Sequence, residues 1–552
     1  MAKQTRFNQK MIDDYVSRGF WNSETLADMC DRNAEQYPGQ LSFIDSRTRL
    51  TWSQLKLLSD RVALGLMELG IKKDEVILVM LPNWVENIVL RIAFLKAGIL
   101  SVFPALTWRQ AEMERTLKSL NAVAAITPNK FRKVDYHGMI ENIRSSLPSL
   151  RHLFVVGDDV PRGAISYKEL VEKPLERKYP ADYLKKTQFG PFEFNFIMAT
   201  SGTTGAPKFC EHSQAAYKVL GRTVIERAKI TSADVIGAIA PLSGGSAIYA
   251  FFCPLMVPAR AALLDWFDAE EALKLIEKER ISVAIVVPAQ LIAMLRHPNL
   301  KKYDLSSLRV VRAGGAATPP NIAVELEEKV GCTFISGAGS MDAISISQAY
   351  VDDPPDVRYF TAGRPTIGNQ IRIVSEQGKE LAQGEVGEIQ VRGACTASGY
   401  YKNMEATTEA WGELGENGWW RSGDLGRLDE QGNIVFVGRK KDVIIRGAQN
   451  IYPTEIENLL FTHPGIHQVA IVAMPDLMMG EKACAFVVPK PGMVLTFDEM
   501  VSFLKDKNIA PYKLPERLEI VENLPGAGDV AKVDKKALAK MIAEKLKAEG
   551  QN

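Results

Sequence analysis

Hydrophobic and polar positions follow two rhythms along this chain, and the change between them divides it into regions. In the first, Leu50-Thr51-Trp52-Ser53 opens a segment whose Leu55, Leu58 and Val62 share one face at helical spacing. Residues 76–81 are a continuous apolar run, as expected of a strand buried on both faces. Residues 85–97 predict a helix ended by Gly98, and residues 100–103 a further strand. Strand and helix alternating in this way predict βαβ units, hence a parallel sheet covered by helices. Further buried strands are predicted at 283–287 and 308–311, the second running straight into Ala313-Gly314-Gly315-Ala316.

From about residue 358 to 438 the rhythm changes. Turn signals at Glu376-Gln377-Gly378 and Glu430-Gln431-Gly432 separate short strands such as 388–391 and 434–437. This pattern predicts antiparallel hairpins forming a small β-barrel subdomain. After Gly438-Arg439-Lys440-Lys441-Asp442 a smaller α/β unit begins, with strands at 469–473 and 483–488 and a helix near 497–505. It ends on a helix carrying Lys535, Lys536, Lys540, Lys545 and Lys547. Glu544 and Glu549 interrupt that charge run, which reads as a solvated face. The expected fold is α/β: a large N-terminal region, 1–440, of parallel sheets plus the barrel, then a mobile C-terminal domain, 441–552. Residues 440–442 are the expected junction.

Composition narrows the class. At 552 residues the chain exceeds one ordinary domain. Apolar content of 46% with 24% charged residues is that of a soluble globular protein. Lys plus Arg (67) nearly balances Asp plus Glu (66), so no global field favours nucleic acid or an acidic membrane. The six cysteines are scattered without a C-x-x-C pair, which argues against a disulfide framework or zinc site and fits a cytoplasmic protein. The first residues carry charge without an apolar run behind them, so no signal peptide is expected. Residues 235–259 lack charge and are long enough to span a membrane. Pro241, Gly244, Gly245 and Pro254 interrupt them, which predicts a buried strand, loop and helix instead.

Candidate chemistry centres on residues 199–208, Ala-Thr-Ser-Gly-Thr-Thr-Gly-Ala-Pro-Lys. Upstream, Phe192, Phe194 and Phe196 alternate with Glu193 and Asn195, a strand pattern; downstream, Ser213 is placed to cap a helix. Gly202 and Gly205 permit backbone angles that turn successive N–H groups toward an anion. Thr200, Ser201, Thr203 and Thr204 add hydroxyls, and Lys208 a fixed positive charge. The alternatives are a solvated turn or a Walker loop. A Walker loop fits poorly, because Ala206-Pro207 precede the lysine and Phe209 stands where Ser or Thr would hold magnesium.

The run Thr-Ser-Gly-Thr-Thr-Gly-Ala-Pro-Lys resembles the signature loop of the adenylate-forming superfamily: acyl- and aryl-CoA synthetases, peptide-synthetase adenylation domains and luciferases. Further motifs of that family follow in order, so the resemblance covers essentially the whole chain. Residues 102–112, Val-Phe-Pro-Ala-Leu-Thr-Trp-Arg-Gln-Ala-Glu, resemble the aryl-acid AMP ligases. The resemblance implies that the loop holds the β and γ phosphates of ATP and that Gly314, Gly315 and Ala316 line the adenine site. It implies that Asp424, in Arg421-Ser422-Gly423-Asp424, accepts both ribose hydroxyls, with Arg439 reaching the same ribose or phosphate. Ala338-Gly339-Ser340-Met341-Asp342 matches the family's Tyr/Phe-Gly-x-x-Glu element, making Asp342, with Thr200, the expected Mg2+ ligand. Here Asp stands for Glu and Ala338 for the aromatic ring that stacks on adenine.

Lys532 matches the catalytic lysine of the C-terminal domain, although Ala531 stands where Gly is usual. Lys441 matches the hinge about which that domain rotates, and Gly447 the thiol channel. His212 either contacts the acyl carboxylate, shapes the pocket, or is a satisfied structural histidine. The implied reaction joins a small-molecule carboxylic acid to AMP, then to CoA or to the pantetheine of a carrier protein. A P-loop NTPase and a non-catalytic binding relative are the rivals. Monomer and homodimer remain open.

The dihydroxybenzoate ligases carry an Asn-Tyr pair before Pro-Leu-Ser and a serine after it. Here Ile239-Ala240 precede Pro241-Leu242-Ser243 and Gly244 follows. Without those hydroxyl partners, and with Gly337 and Ala338 leaving space, the expected acid is bulky and apolar, aromatic or alicyclic. Ile239 and Ile335 are expected to line its wall, unless Tyr249 or Phe251 refills the space.

Overall fold

The computed structural model describes residues 5–200, 208–245, 247–412, 418–447, 449–527 and 532–550. Two large sheets dominate. A nine-stranded sheet runs in the order Arg364–Pro365, Ser347–Gln348, Thr333–Ala338, Val310–Ala313, Val283–Val286, Val235–Ala238, Arg260–Leu263, Leu41–Ile44, Arg49–Thr51. Its central ladders, from Thr333–Ala338 to Leu41–Ile44, are all parallel. An eight-stranded sheet runs Gly399–Tyr400, Phe209–Ser213, Phe194–Ala199, Leu100–Val102, Val76–Val79, Ala124–Pro128, His152–Val156, Ile165–Ser166.

Local chemistry starts the covering helices where the sequence predicts. Thr51 caps helix Trp52–Glu68 by accepting from the Gln54 amide, while the Gln54 side chain returns to the Thr51 N–H. Helix Val85–Ala97 ends at Gly98, and nearly every residue of it is buried, as befits a helix wedged inside a core. The uncharged stretch from 235 folds as strand Val235–Ala238, a turn and helix Tyr249–Met256. No described helix is long and apolar enough to cross a membrane.

Strand alternation sorts side chains onto the two faces of the nine-stranded sheet. Ile236, Ala238, Ala240, Val310 and Ile335 join the core that also fills the eight-stranded sheet. Val235, Ile239, Val311, Ala313 and Phe334 form a separate core on the opposite face. Ile239 and Ile335 therefore do not share a wall, contrary to the expectation above. A single residue of parity separates Ile239 from Ala240 and decides the matter.

The hairpins expected after residue 358 form a four-stranded antiparallel sheet: Asn369–Val374, Gly387–Gly393, Trp420–Leu428, Ile434–Arg439. Among the described residues no ladder joins its first strand to its last, so the expected barrel is an open sheet. A 3-10 turn, Lys440–Asp442, leads to a five-stranded sheet containing Ile444–Arg446, Ile466–Asp476 and Gly480–Pro489. The terminal helix Lys535–Ala548 buries Leu538, Ile542 and Leu546, while Lys535 and Lys545 pair with Glu457 and Glu519. All six cysteines are buried and unpaired.

Candidate active site

The loop 200–208 connects two antiparallel strands, with Ala199 opposite Phe209 and Met198 opposite Cys210. Its ends are clamped: the Thr200 N–H donates to the Lys208 carbonyl at 2.8 Å, and the Lys208 N–H to Thr200 Oγ1 at 3.1 Å. A short strand, Phe209–Ser213, thus intervenes before helix Gln214–Arg227, which Ser213 caps through the Ala216 amide. Residues 200 and 208 therefore stand at a hairpin end, one strand before the helix N-terminus. Ser201, Gly202, Thr203, Thr204 and Gly205 lie outside the described residues.

Beside the clamp, three further side chains meet. The Lys208 ammonium stands 4.8 Å from the centre of the Tyr400 ring. The Tyr400 hydroxyl donates to Oδ1 of Asp342, and the Cys210 thiol approaches the same oxygen at 3.7 Å. Burial raises the Asp342 carboxyl above its ordinary value, and the Tyr400 hydrogen bond and the Lys208 charge oppose that rise. Burial, with Asp342 beside it, also raises the Tyr400 phenol, which remains a donor. Tyr400 belongs to no motif quoted above; the fold brings it here through the ladder that pairs it with Cys210.

His212 belongs to the support of this cluster. One ring nitrogen meets the Tyr217 hydroxyl and the other the Met341 carbonyl at 2.6 Å, and the ring is buried. Burial lowers its pKa to about 4. Both nitrogens being engaged, His212 is not available to an acyl carboxylate. Of the roles expected for it, the structural one agrees with the geometry: it fixes the backbone immediately before Asp342.

The second constellation lies on the four-stranded sheet. Asp424 and Arg439 are cross-strand partners, with Nε to Oδ1 at 3.4 Å. Ser422 Oγ accepts the Asp424 N–H and donates to the Ile389 carbonyl, holding the turn that presents the carboxylate. Lys441 follows directly; burial and neighbouring Arg439 lower its pKa, and Lys536 contributes to the same repulsion. The terminal helix therefore starts near Arg439 and Lys441. Lys532 pairs by its backbone with Ala527 in a two-stranded ribbon just before that helix. Gly447, at φ +62°, donates its N–H to the Met479 carbonyl on the far side of the Lys440–Asp442 turn.

Of the residues expected to line the acyl pocket, Ala240 and Ile335 share one core and Ile239 lies on the opposite face, and the structure adds one residue to them. Gly315 turns the chain with φ +90° at the end of strand Val310–Ala313, where ligands of open α/β sheets bind. Gly314 precedes that turn and Ala316 follows it. Asn83, which no motif indicated, donates to the Ala240 carbonyl at 3.0 Å and accepts from the Leu242 N–H at 2.8 Å. It thereby fixes the turn carrying Ser243 and Gly244, both half-buried. A Cβ added at Gly245 would stand 3.8 Å from Met341 Cε, so this turn adjoins the Asp342 segment.

The addition is Arg312. It shares the sheet face of Ile335 and Gly337, is 2% exposed, and donates from Nη2 to the Tyr249 hydroxyl at 2.7 Å. A Cβ on Gly337 would lie 2.7 Å from Nη2. The space that Ala240, Gly337 and Ala338 were expected to leave apolar therefore borders a guanidinium. Tyr249 approaches it, in part as the alternative above foresaw, but brings a polar contact.

Hard oxygen donors at Asp342 and Thr200 suit magnesium, which prefers one or two protein oxygens alongside phosphate. The Asp342 carboxylate, the Lys208 cation and the clamped loop give the mixed charge that a polyphosphate with its metal requires. Among the described residues no group of three or more His, Cys, Asp or Glu forms a metal cage.

Known proteins resemble this chain along nearly its whole length. Residues 30–401 match the family model AMP-binding enzyme, and residues 455–528 match AMP-binding enzyme C-terminal domain. The medium-chain fatty-acid–CoA ligase of Escherichia coli (strain K12) is 32% identical over 98% of this chain and 94% of its own. The 2,3-dihydroxybenzoate-AMP ligase of Bacillus subtilis (strain 168) is 29% identical over 99% of this chain and 98% of its own. A solved anthranilate CoA ligase in complex with anthranoyl-AMP superposes with a TM-score of 0.85 at 22% identity, covering 95% of this chain and 98% of that one.

Proposed function

The chain belongs to the AMP-binding enzyme family, and from that premise we propose that it is an acid:CoA ligase acting on a bulky aromatic or alicyclic carboxylic acid. The acid attacks the α-phosphate of ATP, the bond to pyrophosphate breaks, and an acyl-adenylate results. The CoA thiol then displaces AMP to give the thioester. The observation that carries the reading is the meeting of Lys208, Tyr400 and Asp342 at the mouth of the Thr200–Lys208 clamp.

Each residue group has one task in this proposal. The 200–208 loop and Lys208 hold the departing pyrophosphate and balance its charge. Asp424 accepts the two ribose hydroxyls, with Arg439 beside it, and Gly314, Gly315 and Ala316 take the face of the base. Asp342 and Thr200 would hold magnesium, which when bound neutralises phosphate oxygens. Lys532 contacts the carboxylate and α-phosphate during the first step alone. Rotation about Lys441 then withdraws Lys532 and brings Gly447 toward the thiol channel. These roles follow from the family motifs that the residues match.

CoA is preferred as acceptor because the fatty-acid relative, which acts on CoA, is 32% identical along nearly the full chain. Acid-dependent exchange of labelled pyrophosphate into ATP tests the first step, and thioester formation with CoA or with a pantetheinylated carrier tests the second. Exchange without any acid requirement, or none at all, overturns the ligase reading. A thioester on the carrier alone overturns the acceptor.

A further inference from the structure

Residues 5–21 pack against the segment that leads into Tyr400. Arg6 is 2% exposed, and among the described residues no carboxylate pairs with it. Its Nε donates to the Ala397 carbonyl at 2.8 Å and its Nη2 to Thr396 Oγ1. The Arg6 N–H and the Thr5 hydroxyl both donate to the Ser398 carbonyl, at 3.0 and 3.2 Å. Trp21 Nε1 adds a bond to the Ala394 carbonyl at 3.0 Å.

The same segment bonds in turn to the candidate site. The Ala397 N–H donates to the Asp342 carbonyl at 2.9 Å, and the Ser398 N–H to the Glu211 carbonyl at 2.7 Å. Two residues on, Tyr400 pairs with Cys210, and its hydroxyl meets the Asp342 carboxylate. A second route runs through rings. The Arg6 guanidinium stands 5.2 Å from the centre of the Trp411 ring, which is 5.1 Å from that of Tyr400. The Lys208 ammonium lies 4.8 Å from the Tyr400 ring.

Burying a guanidinium without a counter-charge forfeits its hydration, and an apolar side chain of similar volume serves stability as well or better. What the arginine supplies instead is a planar fork that grips two acceptors in one geometry, and a cation for the Trp411 ring. These contacts end on groups that touch Asp342 or Tyr400. We propose that Arg6 is a positioning residue: it sets segment 396–398 and the Trp411 ring, and so keeps the Tyr400 hydroxyl and Asp342 in register beside Lys208. This inference rests on the ligase reading above and adds a residue to the phosphate end of that site.

The test uses the full chain with Arg6→Met and Arg6→Lys. One readout is amide hydrogen exchange at residues 397–400; the other is acid-dependent pyrophosphate exchange with ATP and acid varied separately. Arg6→Met is expected to speed amide exchange at Ala397 and Ser398 roughly tenfold or more. It should lower kcat and raise the KM for ATP, each roughly tenfold, as misplaced reacting groups do, with the KM for the acid within about twofold. Arg6→Lys keeps the charge and the stem but loses the fork. It should show the same pattern at smaller size, and it decides the matter if Arg6→Met does not fold. In a Tyr400→Phe background the loss from either change should shrink to about threefold or less, because the hydroxyl being positioned is gone. Full additivity with Tyr400→Phe, an equal rise in both KM values, or unaltered amide exchange overturns the inference alone. Absence of acid-dependent pyrophosphate exchange in the unaltered enzyme defeats the ligase reading and takes the positioning role with it.

Discussion

Arg439 stands across the sheet from Asp424, its Nε 3.4 Å from Oδ1. The pair is half-open to solvent, and the carboxylate is the group proposed to accept both ribose hydroxyls. Arg439 thus holds the Asp424 carboxylate in place. Asp424→Asn keeps the shape but removes the charge from two hydrogen bonds. The apparent KM for ATP should rise roughly ten- to a hundredfold, with the KM for the acid little changed. An unaltered KM for ATP would move the ribose site elsewhere.

Lys532 is proposed to act only while charge develops at the α-phosphate. Lys532→Ala should lower acid-dependent pyrophosphate exchange by roughly a hundred- to a thousandfold. Thioester formation from pre-made acyl-adenylate and CoA should stay within a few-fold of the unaltered rate. Equal loss in both half-reactions would rule out a lysine confined to the first.

Lys441 is the middle residue of the 3-10 turn that joins the four- and five-stranded sheets. Backbone φ in such a turn is close to the value that proline enforces. Lys441→Pro should therefore be accepted in the conformation seen here and resist the rotated one. Exchange should persist, while CoA thioester formation drops roughly tenfold or more. A thioester rate equal to that of the unaltered enzyme would relocate the hinge.

The helix and strand order was legible because Thr51, Ser213 and Gly98 stop or start elements by chemistry local to a few residues. The loop, Asp342 and Asp424 were legible as motifs. What escaped depends on contacts distant in sequence. Tyr400 reaches Asp342 only because strand Gly399–Tyr400 pairs with Phe209–Ser213, across nearly two hundred residues. Ile239 falls on the face opposite to the expected one because a strand end gives no cue to its parity. Arg312 did leave a trace, a lone charge inside Val310-Val311-Arg312-Ala313, but its meaning depends on Tyr249 and Gln348. An arginine in an apolar run otherwise reads as an edge.

His212 ties acid stability to the active-site backbone. Its pKa falls from the ordinary 6.5 to about 4 because the buried ring resists charging. Between those values the unfolded chain binds a proton there that the native state refuses, so stability is lost as pH falls through the window. The full difference is about 3 kcal/mol, present above pH 6.5 and gone below pH 4. Urea unfolding of the unaltered protein and of His212→Gln should therefore converge as pH drops from 7.5 to 4.5. Parallel curves would show that the histidine charges freely in the native fold.

Tyr400 and Asp342 give the most direct test of the phosphate end of the site. Burial raises the Asp342 carboxyl, and the Tyr400 hydrogen bond holds it down. Removing the hydroxyl should raise it further, so the ionised form that magnesium requires is lost at a higher pH. Tyr400→Phe should therefore shift the acid limb of the exchange rate upward in pH and leave the alkaline side in place. The ring, which lies 4.8 Å from the Lys208 ammonium, is retained, so the lysine keeps its position. The magnesium needed for half-maximal exchange should rise roughly tenfold, the usual scale for losing a group that orients a metal ligand. Asp342→Asn should abolish both the shift and the metal response, since no carboxyl is left to titrate. A Tyr400→Phe enzyme with an unmoved acid limb and an unchanged magnesium requirement would mean that Asp342 is a structural acid, and that the metal is held elsewhere.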